Sequence, residues 1–237
     1  MTTPAAARAT APEAPWHIGL RGARANLVPG LILQGVALAI ALAYYFHPPT
    51  RAALEDLSDF RVRTGFTYSI VATAVFGGLI PCLYLALNPA TRGRYTVAQS
   101  AVLTAFYAYK GFEVDLWYRV LARVVGEDAS VQTVVVKMLL DQLVYCPLFA
   151  VPVTVLFYAW VETAFNRRAV ARDLSAGRWY PRRVVPVLIS NLGVWVPTVC
   201  IVYSLPTSLQ IPLFNLVLCF FTLLLAHISA DSKPSAT

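Results

Sequence analysis

Six stretches of the chain run apolar for long enough, or nearly long enough, to cross a bilayer as helices, and the polar positions inside and between them organise the reading. The first, Leu27–Phe46, carries only Gln34 and its tyrosines as polar groups, and its length suffices for about 30 Å of hydrocarbon. The second covers residues 65–87 and contains Gly77, Gly78 and Pro81, a pair and a breaker that allow either close helix approach or a bend. A weaker third span covers residues 95–109. Beyond it, residues 110–123 bring in Lys110, Glu113, Asp115, Arg119 and Arg123 beside Trp117 and Tyr118, which predicts a solvated amphipathic helix with its aromatic residues at the membrane interface. Residues 130–162 form a fourth apolar run of about 50 Å as a helix, longer than the bilayer, with Pro147 and Pro152 as kink positions. The last two cover residues 184–205 and 210–229 and are interrupted by Pro186, Asn191, Gly193, Pro197, Pro206 and Pro212, of which Pro197 and Pro206 are expected as kinks. The pattern predicts an all-α, polytopic transmembrane helix bundle of about six helices.

Within the fourth run, residues 137–147 read K-M-L-L-D-Q-L-V-Y-C-P and place an ammonium, a carboxylate and a carboxamide among apolar neighbours. A charge at the centre of a membrane helix costs about 2.5–3.5 kcal/mol on insertion scales, so Lys137, Asp141 and Gln142 should face protein or water. At helical spacing Lys137, Asp141 and Tyr145 share one face. Asp141 is therefore expected to pair with Lys137 one turn back or with Arg119 on the preceding helix. Two roles fit such a stripe: a polar path between helices, or hydrogen-bonded glue that only ties helices together.

Composition narrows the class. Of 237 residues 58% are hydrophobic and 13% charged, against a usual charged share of about 25%. The four cysteines, Cys82, Cys146, Cys200 and Cys219, lie within apolar segments and show neither zinc spacing nor a disulfide framework. His17, His47 and His227 are scattered. No phosphate loop, nucleophile elbow or metal-binding set is present in the pattern, so no catalytic, cofactor-binding or metal residue is expected and the chain does not read as an enzyme. The net charge of +7, mostly arginine in loops, reads as topology information rather than as a nucleic-acid interface. With the amino terminus inside, twelve Lys and Arg fall on the inner side and six on the outer, which predicts six spans with both termini inside. Residues 1–26, rich in Ala, Pro, Thr and Arg, are expected to form a disordered basic head, compatible with an organellar transit peptide or with a bacterial cytoplasmic tail. Residues 230–237 read as a short tail.

The motifs also carry a resemblance. Gly111, then Trp117-Tyr118-Arg119-Val120-Leu121, then Lys137-Met138-Leu139-Leu140-Asp141-Gln142 with Pro147 are similar to the G-x5-W-Y-K/R-x-L and K-x3-D-Q-x4-P signatures of the Mpv-seventeen and peroxisomal membrane protein twenty-two family, in the same order. More loosely, Asn191, Trp195 and Pro197 resemble its N-x3-W-P with one residue inserted, and Leu205-Pro206, Asn215 and Phe221-Thr222 resemble its V-P turn and final W-N helix. The likeness covers roughly residues 60–229. Departures are Gln210 where the family carries a basic residue, Phe112 where a proline is common, and the lack of the family's first-helix aspartate near Pro81. The Leu27–Phe46 helix, reaching residue 48 with its terminator, stands as an addition to the four spans usual in the family.

That resemblance implies an integral membrane protein that passes small solutes or metabolites, in a bacterial inner membrane or, in a eukaryote, a mitochondrial inner or peroxisomal membrane. The lipid bilayer, small solutes and a second copy of the chain are the expected partners. A non-conducting scaffold, assembly or homeostasis protein is the alternative. The candidate pore-lining or interhelical polar residues are Lys137, Asp141, Gln142, Arg119, Asn191, Gln210 and Asn215.

Overall fold

A computed structural model describes residues 14–231, with side chains to residue 223, and every regular element among them is helical. The helices are α1 (Pro15–Ala25), α2 (Leu27–Phe46), α3 (Pro48–Thr64), α4 (Phe66–Leu87), α5 (Val97–Val125), α6 (Val131–Glu162), α7 (Arg167–Ser175), α8 (Tyr180–Tyr203) and α9 (Thr207–Asp231). Of these, α2, α4, α6 and α8 are long and apolar enough to cross a membrane. Helix α5 has the length, 29 residues, but carries five charged side chains. In α9 the apolar part of the described segment is Thr207–Leu223.

Local chemistry sets the boundaries. Pro48 and Pro49, expected only to stop α2, occupy the first turn of α3, where their missing N–H groups cost nothing, and the His47 ring accepts from Thr50 N. Residues 51–63 are therefore helical rather than the loop their mixed charge suggests. At the start of α5, Thr96 and Gln99 form a reciprocal capping box. Three helices contain widened π turns: Ala74–Leu79 in α4, Asp141–Ala150 in α6 and Tyr180–Val184 in α8. Each has a proline inside it or just beyond it, and a widened turn absorbs the lost donor and the ring's clash with the preceding carbonyl.

Helices α2, α5, α8 and α9 supply the main core, with Leu33, Ala37, Tyr118, Leu121, Val202 and Ile211 buried in it. The supposed addition α2 thus packs as part of the bundle. Its Gln34 donates to the carbonyls of Gly193 and Val194, and Gly30 lets it close on Val194. The expected domain start near residue 60 falls inside α3. Residues 15–25, expected to be disordered, form a helix whose Gly19 and Gly22 lie against Ile189 and Ser190 of α8; residues 1–13 of that head, and the tail from residue 232, lie outside the described residues.

The sharpest revision concerns α5. It runs unbroken to Val125, and Gly111, Glu113, Asp115 and Tyr118 on its second half are buried. Charge did not carry this stretch into water because its charges find partners inside the bundle. Gly111 makes that approach possible: a Cβ there would stand 2.1 Å from the Ser69 carbonyl oxygen. Gly78 and Gly77 likewise bring α4 against Thr104 and Tyr107 of α5. The basic segment between α6 and α8 holds a short helix, α7, capped by Asn166.

Candidate functional site

Two buried carboxylates face one another's helices and are satisfied in different ways. Asp115, 0% exposed, is bound by Arg61 of α3, by Arg119 one turn along α5 at 3.0 Å, and by the Ser69 hydroxyl of α4 at 2.6 Å. Burial pushes the Arg61 guanidinium below its ordinary value while the Asp115 carboxylate pulls it back up. Arg119 also lies over the Phe66 ring, 4.5 Å from its centroid. Three helices are tied at this point by two cations on one anion.

Asp141, at the start of the wide turns of α6, has no cation within ion-pair distance among the described residues. Its donors are neutral: Trp117 Nε1 to Oδ1 at 2.9 Å and Gln142 Nε2 to Oδ2 at 2.7 Å, with the Tyr203 hydroxyl also close. Trp117 stacks on Tyr145, with ring centroids 4.8 Å apart. The Tyr145 hydroxyl donates to Glu113 Oε1, which also holds Lys110, while Glu113 Oε2 is buried without a partner. Both expected pairings of Asp141 are therefore overturned. Arg119 belongs to Asp115, and Lys137, 1% exposed, turns to the Tyr203 ring 5.9 Å away. A buried indole N–H needs an acceptor, and Asp141 is the one within reach of Trp117. Trp117 is accordingly an interhelical donor rather than a membrane-interface residue.

The Asp141 cluster borders open space. A cavity of about 470 Å3 lies between α4, α5, α6, α8 and α9, with Arg94 and Tyr95 at its loop end. A smaller one of about 180 Å3 continues from it to Asp141, Gln142 and Tyr145. Lys110, Thr154, Asn191 and Trp195 line both. Midway, the Tyr107 and Tyr158 hydroxyls bond to each other at 3.1 Å. The Asn191 side chain makes no hydrogen bond among the described residues, which leaves its amide free toward the cavities. This chamber offers hydroxyls, an amide, an indole and one ammonium already matched by Glu113, with the Asp141 carboxylate at its far end. It can accept polar solutes, and its unbalanced charge is negative.

The remaining expected residues disperse. Gln210 donates to the Leu205 carbonyl at 3.1 Å and closes the α8–α9 turn. Asn215 accepts from Thr73 on the other side of α9. Among the prolines, Pro147 lies in the wide turns and its carbonyl accepts from Tyr180 at 2.8 Å, Pro152 starts the regular part of α6 beyond them, and Pro197 is inside α8. Pro206 is in the turn before α9 and kinks no helix. Missed from the sequence were Arg61, Lys110 and Glu113. The i,i+3 spacing of Lys110 and Glu113 beside Gly111 was the available signal. At the α6 amino end, hydrogen bonds from Ser130 and Thr133 hold the exposed Asp128 carboxyl below its ordinary value. Comparison with protein-family models, curated proteins and solved structures yields no match.

Proposed function

We propose that this chain is a polytopic membrane protein that passes small solutes, uncharged or cationic, through the chamber bordered by Asp141. The observation that carries the reading is the pair of adjoining cavities lined by Lys110, Thr154 and Asn191 and ending on a carboxylate without a cation. In the arrangement proposed, α5 and α9 join the four long apolar helices to make six spans, both termini share a side, and the paired charges of α5 are what let it stand among lipid-facing helices. The resemblance to the Mpv-seventeen and peroxisomal membrane protein twenty-two family, whose D-Q-x4-P signature matches Asp141, Gln142 and Pro147, supports the same reading. Placement in a bacterial inner, mitochondrial inner or peroxisomal membrane rests on that resemblance.

Reconstitution in liposomes tests it. Glycerol and potassium should leak faster from vesicles carrying the protein than from empty ones, and Thr154→Trp, which fills the shared part of the chamber, should slow the leak to near background. Leak equal to that of empty vesicles, or unaltered by Thr154→Trp, would remove the conducting role. One observation favours a scaffold instead: Asp115 and Asp141 each tie α5 to a neighbouring helix, the glue such a protein needs. A stable protein that leaks nothing would leave that reading in place.

A further inference from the structure

On the other side of α9 from the chamber, a cavity of about 400 Å3 lies where α2, α3, α4 and α9 meet, within the range of about 300–1,000 Å3 in which proteins hold small ligands. Its wall is made of Ile40, Leu54, Leu57, Phe76, Leu209 and Leu213, and no charged side chain lines it. Two groups break this apolar surface, Asn215 and Tyr68. Asn215 is 1% exposed; its Oδ1 accepts from the Thr73 hydroxyl at 2.8 Å, and its Nδ2 has no partner. Exchanging the amide's O and N leaves the same count, one end on Thr73 and the other unpaired. The Tyr68 hydroxyl also makes no hydrogen bond among the described residues. Ile40, Leu54, Leu57 and Tyr68 are half-buried, so the cavity is reached from the outside of the bundle between α2, α3 and α4.

A buried amide donor without an acceptor is rare in folded proteins. Here it faces a space too apolar for an ion. Asn215 lies about 12 Å along α9 from Thr207, below the level at which lipid esters and headgroups sit in the six-span arrangement. The molecule that fits must dissolve in hydrocarbon and bring an acceptor oxygen with it. We infer that this cavity binds a neutral lipophile bearing a carbonyl oxygen, of the alkylated benzoquinone kind, with the carbonyl accepting from Asn215 and the ring lying among Phe76, Tyr68 and the leucines. The inference rests on membrane insertion but not on conduction through the chamber.

Photolabelling of the full chain in phosphatidylcholine nanodiscs with an azido derivative of decylubiquinone tests it. Labelled peptides should contain Leu54, Leu57 or residues 209–216, and unlabelled decylubiquinone should compete while dodecylbenzene and methyl palmitate do not. Asn215→Leu should weaken labelling about fivefold to tenfold, the effect of one neutral hydrogen bond. Because that variant also loses the Thr73 contact, Leu57→Trp serves as the second: it fills the cavity from its rim, leaves Asn215 on Thr73, and should abolish the labelling with an unchanged melting temperature. Labelling spread evenly over the outer helix faces, equal competition by methyl palmitate, or undiminished labelling of Leu57→Trp would overturn the site. So would an unlabelled wild type, whose cavity then holds water or lipid tails. A protein that labels at this site yet leaks no solute would keep this inference and end the conducting one.

Discussion

Asp115 and Asp141 are both buried carboxylates that bind α5 to its neighbours, yet one is held by two guanidinium groups and the other by an indole and an amide. The difference separates two kinds of buried charge. At Asp115 the partners are ionic, close, and drawn from α3, α4 and α5, with no cavity beside them, so the cluster works as a lock. Removing one side would leave the other charged and dry. At Asp141 the donors are neutral and the cluster borders open space, so its charge can act on whatever enters the chamber. Cations bind Asp115; the chamber is left with a carboxylate.

The comparison can be broken most decisively at the lock. Asp115→Asn strands Arg61 beside a neutral amide, and breaking a buried pair costs roughly 3–5 kcal/mol. Thermal unfolding in detergent should show the largest drop of any single variant here, and a wild-type melting temperature would mean that Asp115 locks nothing. Next in size is Gly111→Ala, whose methyl would meet the Ser69 carbonyl. Overpacking of this kind costs about 1–3 kcal/mol, whereas Gly35→Ala, with nothing within 4 Å of its Cβ, should gain about 0.5–1 kcal/mol from helix propensity. Equal melting temperatures for the two alanine variants would remove the close approach as a condition of the lock.

Asp141→Asn sharpens the other side. An asparagine can still accept from Trp117, and Gln142 can turn its amide to match, so stability should move by no more than about 1 kcal/mol. Reversal potentials in asymmetric potassium chloride should nevertheless show less cation preference. Early melting with unchanged selectivity would reassign Asp141 to the same structural class as Asp115. The smallest effect is expected at Asp128, outside both clusters. Its pKa is depressed in the folded state, so its contribution is present above the unfolded value near ~3.9 and is lost as pH falls through the lower folded one. A small melting difference between wild type and Asp128→Asn at neutral pH should vanish in strong acid; a difference that persists there would show that the hydrogen bonds to Ser130 and Thr133, not the charge, are responsible.

How much of the fold and site is legible in the sequence varies by element. Helix α2 is readable to its ends because a run with one internal amide has no helical competitor in lipid-like surroundings. Helix α3 is not, since Pro48 and Pro49 signal both an end and a beginning, and only the His47 cap decides. The charges of α5 mislead because local pattern reports how many charges a segment holds and not where their partners are; Arg61 lies 54 positions from Asp115. The motif around Asp141 points to the right residue and the wrong partners. Spacing on one helix favours Lys137, but Trp117, 24 positions earlier, wins the carboxylate from across the interface. Of the expected polar residues, Asp141, Gln142 and Asn191 meet at the chamber, while Lys137, Arg119, Gln210 and Asn215 serve elsewhere.

The wide turns between Asp141 and Ala150 have a consequence for how this chain can change length. A π turn accommodates an additional residue in a helix, and each added residue rotates the downstream part of the helix by about 100°. Asp141 enters these turns and Thr154 lies just past them, and both line the space between the helices. Loss of a single residue between 143 and 146 would therefore be absorbed without a break in the backbone, as the turn tightened to an ordinary α-helix. Thr154, Phe157 and Tyr158 would swing away from their present neighbours together. The bulge is thus a register setting, through which an insertion or deletion too small to disturb the fold would rewrite one whole wall of its interior.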